Sequence, residues 1–170
     1  MLGLVGAIWG FSGLMLIIVY AIIRLTPIAI DTFSYNLLWY HWLVLILNTI
    51  FMAHSEGYRG FHKGFAPRVV ARCKYLKNHP KFLHVFFAPL FAAGYFFSTR
   101  KRVFHIFGLT VMIIVFIQII HRLDQPWRGL LDVGVVSGLT WGTISLFIFA
   151  IRAMTAEKYE YSPELPGHHG

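Results

Sequence analysis

Four stretches of this chain, 2–23, 36–53, 103–121 and 133–151, run for eighteen residues or more without an Asp, Glu, Lys or Arg. At ~1.5 Å per residue each makes a helix of roughly 27 Å or longer, close to the ~30 Å hydrocarbon core of a bilayer. Lipid offers backbone N–H and C=O groups no partner, so such runs cross as helices, which bond internally. The fold class that follows is all-α, a polytopic helical membrane protein. The composition agrees: 13% of residues are charged, against about 25% in soluble domains. A length of 170 residues suits one domain. Residues 1–152 read as a single transmembrane domain with a basic loop at 54–81. The polar tail 153–170, with Pro163 and Pro166, is expected to be disordered.

A fifth apolar segment, 82–98, sets the topology. It lies between Lys81 and the cations Arg100, Lys101 and Arg102, and Pro89 and Gly94 interrupt it. A straight helix of that length reaches only ~25 Å. If it crosses, five spans place nine of the fifteen Lys and Arg on the inner side. If it dips in and returns, four full spans leave only Arg24, Arg122 and Arg128 outside, and twelve lie inside. The positive-inside bias favours four spans plus a re-entrant segment, with both termini cytoplasmic; five spans is the alternative. The expected location is a bacterial-type inner membrane. Phe33, Tyr35, Trp39, Tyr40 and Trp42 mark one headgroup level.

The loop 54–81 concentrates polar chemistry. Glycine precedes an aromatic at 57/58, 60/61 and 64/65, and Arg59, His62 and Lys63 lie between. Tyr58, Arg59, Phe61, Lys63, Phe65, Arg68, Arg72 and Lys74 are the candidate lipid- or partner-binding residues. Cations beside interfacial aromatics suit anionic headgroups. Residues 68–77 predict a short surface helix, with Val69, Val70, Cys73 and Leu76 opposite Arg68, Arg72 and Lys74. Elsewhere, Gly6, Gly10 and Gly13 share one helical stripe and Gly134, Gly138 and Gly142 another, a spacing that lets helices approach closely.

Nine histidines raise the question of a cofactor. His41 in the run 36–53 and His54 just past it, and His105 and His121 in the run 103–121, lie at two depths, as diheme ligands would. Yet they point about 220° and 160° apart around their helices, and axial ligands must converge on one iron. His54, Glu56 and His62 are the metal candidates, with His79 or His84 as a fourth ligand, but without a paired ligand motif. No haem or metal cofactor is therefore expected. The chain holds none of the nucleotide-binding or hydrolase motifs, which leaves enzymatic activity open but leans against it. The single cysteine, Cys73, excludes an intrachain disulfide, and flanking Arg72 and Lys74 favour its thiolate. Asp132 is placed to cap the last span. No charge falls inside an apolar run, which weighs against ion pumping.

The expected function is a non-catalytic subunit or assembly factor of a larger membrane complex. Its partners would be anionic lipids and other membrane chains or copies of itself, with no nucleic acid. A histidine-dependent redox or metal enzyme, and an oligomeric small-solute channel or transporter, are the alternatives.

Overall fold

A computed structural model describes residues 1–155, 161–163 and 165. All regular structure among them is helical. The α-helices are α1 (Leu2–Asp31), α2 (Trp39–Met52), α3 (Ala66–Asn78), α4 (Phe82–Phe86), α5 (Ala88–Ala93), α6 (Arg100–Ile120) and α7 (Trp127–Thr155). A π-helix, Ala53–Phe65, joins α2 to α3, and the three form one unbroken rod from residue 39 to 78.

Three helices are long and apolar enough to cross a bilayer: Leu2–Ser34, Arg100–Ile120 and Trp127–Thr155. That is fewer than the four or five the apolar runs suggest. The run 36–53 yields only the 14 residues of α2, and its continuation is polar. The run 82–98 breaks into α4 and α5, divided by the non-helical Phe87. It ends at Gly94, whose φ of 93° is left-handed and suits a residue without a Cβ.

The loop expected at 54–81 is also corrected: it is helix through Asn78. Proline explains where the π register stops. The Ala66 N–H bonds to the Phe61 carbonyl, five residues back. Pro67 comes next and has no N–H, so the ladder returns to α spacing without orphaning a donor at that residue.

The rod runs parallel to α7, and α1 runs antiparallel to both. At one end Gly129 meets Ile28 and Thr32, and His41 meets Trp127; this is the aromatic end. At the other, Gly3 abuts the Lys77 carbonyl; this is the cationic end. The glycine stripes fill the seams. Gly6, Gly10 and Gly13 lie against Val85, Ala88 and Pro89. Gly134, Gly138 and Gly142 lie against Asn48, Glu56 and Phe61. A core of Leu14, Met15, Ile18, Val69, Val70, Leu146 and Phe149 lies towards the cationic end.

Helix α6 stands beside this three-column body. Tyr95 hydrogen-bonds Thr110 and Ile106 reaches Gly94, while every residue from 111 to 119 is exposed. The described part of the tail is docked at the cationic end, where the Pro163 carbonyl accepts from Arg72. Leu165 is buried against Leu76, Ala88 and Phe91, and Tyr161 meets Phe149 edge-on. These positions are packed on the bundle, and α7 itself reaches Thr155. The rest of the tail lies outside the described residues.

Candidate functional site

Depth along α7 locates the π-helix. The charge-free part of α7 lies between Asp132 and Arg152, and Gly142 stands at its centre. Phe61 packs directly on Gly142, with a Cβ placed there only 2.5 Å from the ring. Gly57 abuts Trp141 in the same way. One level further, His62 Nδ1 lies 3.1 Å from Ser145 Oγ, and its ring lies 5.2 Å from Phe149. One level back, Glu56 is half-buried beside Gly138. The polar stretch thus lies alongside the middle of a membrane-length helix. No apolar run carries a charge, but the π-helix brings charged residues alongside the middle of α7: sequence windows show charges within a helix, not charges that a neighbouring helix brings alongside.

The outer face of the π-helix carries a row of rings. His54 and Tyr58 have centroids 5.9 Å apart; Tyr58 and His62 are 5.9 Å apart and nearly parallel, at 14°. Lys63 Nζ sits 4.8 Å above the Tyr58 ring, a favourable cation–π geometry. Arg59 and Lys63 are both exposed. Among the described residues neither makes an ion pair. Trp141, 46% exposed, borders the row.

The remaining candidates separate from this face. Phe61 turns inward and meets Phe65 edge-to-face. Arg68 and Lys74 are half-buried. Arg72, assigned by its spacing to a solvated surface, is only 3% exposed. Its guanidinium donates from Nε to the Pro163 carbonyl and from Nη1 to the carbonyls of Phe91 and Phe96. Nη2 donates to the Phe97 carbonyl and Ser98 Oγ. Phe97 has φ 53°, a left-handed conformation costing a bulky L-residue about 1–2 kcal/mol, and the bond from Arg72 helps hold it. Arg72 is thus the clasp of the 91–98 turn. Arg68, Arg72 and Arg102 together line a cavity of about 10 Å³.

Cys73 and Asp132 also depart from their sequence readings. Burial pushes the Cys73 thiol up to about 12 despite Arg72 beside it, the opposite of the activated thiolate. Asp132 lies in the second turn of α7 and caps nothing. It is 3% exposed and 3.9 Å from Arg128. His105 and His121 donate to carbonyls on their own helix, and His41 Nδ1 accepts from the Leu38 N–H. No three His, Cys, Asp or Glu side chains converge among the described residues.

Sequence reasoning read His84 only as a possible fourth metal ligand and missed its buried cage. His84 is 3% exposed, stacked on Phe91 at 4.8 Å and edge-on to Phe97 at 4.2 Å. Its Nδ1 has no hydrogen-bond partner. Burial, with Lys81 and Arg72 nearby, holds its pKa below the ordinary value. The phenylalanines that enclose it are spread over the next thirteen residues without helical spacing, so no periodicity announced the cage.

Comparisons with protein families, with characterised proteins and with solved structures find no match to this chain.

Proposed function

We propose that the chain is a non-catalytic subunit or assembly factor of a larger membrane complex. One observation carries the proposal: Arg59 and Lys63 are exposed at the depth where α7 is furthest from its charged ends. Against lipid, a cation at the centre of a span costs about 2.5–3.5 kcal/mol on insertion scales. Snorkelling recovers part of that, and a covering chain recovers more. The glycine stripes do not supply the interface, because α4, α5 and the rod already fill them.

The test is native mass. Chain extracted from its own membrane directly into lipid nanodiscs should migrate as a complex well above 19.5 kDa, with at least one other polypeptide in fixed ratio. A lone chain under those conditions overturns the proposal.

A further inference from the structure

The charged face admits one kind of neighbour. We propose that Tyr58, Arg59, Lys63 and Trp141 dock a transmembrane helix of a different chain, one that carries a carboxylate near its own midpoint. The inference rests on the subunit proposal and names the partner's chemistry.

Charge and depth select that chemistry. Arg59 and Lys63 are four residues apart on the exposed side of the π-helix, and Tyr58 steadies the Lys63 ammonium. Gly60 between them is exposed, and a Cβ there would come no closer than 3.4 Å to its nearest neighbour, the Ser55 carbonyl. A second helix can therefore approach that part of the surface closely. A buried cation needs an anionic or hydrogen-bonding partner at its own depth.

A second copy of this chain fits poorly. Among the described carboxylates, Asp31 and Asp124 lie at the aromatic end, Asp132 is buried, and Glu56 is half-buried behind the face itself. Two copies meeting through this face would oppose like charges. An anionic lipid carries its charge at the headgroup level, whereas Arg59 and Lys63 flank Phe61 at the centre of α7. The carboxylate of a crossing helix is the anion found at that depth.

The test uses the full chain in phosphatidylcholine bilayers holding a minor fraction of phosphatidylglycerol, with synthetic leucine-rich transmembrane peptides of about 20 residues. One peptide carries a central Glu, one a central Gln and one only leucine. Association is read by energy transfer between labels on the chain and peptide. The Glu peptide should bind about tenfold more tightly than the Gln peptide. Arg59→Gln/Lys63→Gln should erase that preference while leaving the melting temperature unchanged. Equal binding of the Glu and Gln peptides to the unmodified chain overturns the inference without reference to any variant. So does a Glu preference that survives the double substitution. Preferential enrichment of phosphatidylglycerol around the chain, lost in the double variant and without a Glu preference, assigns the face to lipid and also overturns it. A native complex that keeps its partner in the double variant refutes this interface alone; a chain that is monomeric in native nanodiscs refutes the subunit proposal itself.

Discussion

His84 gives the stability of this fold a pH dependence of known sign. Its cage of Phe91, Phe96 and Phe97 accepts the neutral ring and resists the imidazolium. In the unfolded chain the ring protonates near its ordinary value of 6.5. Its contribution is therefore complete above that pH and is lost as pH falls below 6.5 towards the depressed folded value. The melting temperature in neutral detergent should drop on going from pH 8 to pH 5.5. His84→Phe, which keeps the ring shape, should flatten that dependence; an unchanged pH profile in the variant would falsify the cage account. Cys73 supplies a second test at this scale. With its thiol pushed up to about 12 by burial, it should resist alkylation at pH 8 in the folded protein and react fully in denaturing detergent. The flanking Arg72 and Lys74 were plain in the sequence. What they could not reveal was that Arg72 is spent on carbonyls of the 91–98 turn and that Cys73 faces the core.

Among the elements, α1, α6 and α7 were legible because long uncharged runs have few alternatives in a bilayer. The π-helix was not. Three glycines within a polar stretch are the ordinary marks of a loop, and its helical state is supported by contacts across great sequence distance, such as His62 with Ser145, 83 residues apart. The seam between this helix and α7 allows a graded test. A Cβ at Gly142 would fall 2.5 Å from the Phe61 ring, but one at Gly138 meets nothing closer than 3.4 Å. Gly142→Ala should therefore destabilise by roughly 1–3 kcal/mol through overpacking, and Gly138→Ala by clearly less. Gly108→Ala on α6, where nothing lies within 4 Å, is the control. Equal losses at 138 and 142 in denaturant titrations would contradict the seam as described. Arg72→Lys should cost about 2–4 kcal/mol, since one ammonium cannot reproduce a planar set of donors to four carbonyls and a hydroxyl.

For the whole molecule, the path between residues 77 and 101 decides the topology. Lys77 lies at the cationic end beside Gly3, and the 91–98 turn that leads into α6 is clasped to Arg72 one turn before it on α3. Helix α6 then runs back towards the aromatic end. Single cysteines at 77 and 101 in a Cys73→Ser background should react alike with an impermeant thiol reagent applied to intact cells, and alike again after permeabilisation. Labelling of one without the other in intact cells would mean that 82–98 crosses. The expectation of a non-crossing 82–98 rested on the charge distribution along the chain, read by the positive-inside bias; that distribution contained nothing about the rod. That rod has a mechanical consequence. A π turn takes more residues than an α turn, so each of the thirteen residues in Ala53–Phe65 advances the side chains by a smaller angle. Over that length the lag accumulates into a large part of a full rotation, and it fixes the phase of α3 relative to α2. Rewinding the segment as α-helix would act as a torsion between the two ends of the bundle. The aromatic end could stay seated while Arg72 swung away from the turn it clasps, so the winding of residues 53–65 and the attachment of the 91–98 turn are tied to one angular coordinate.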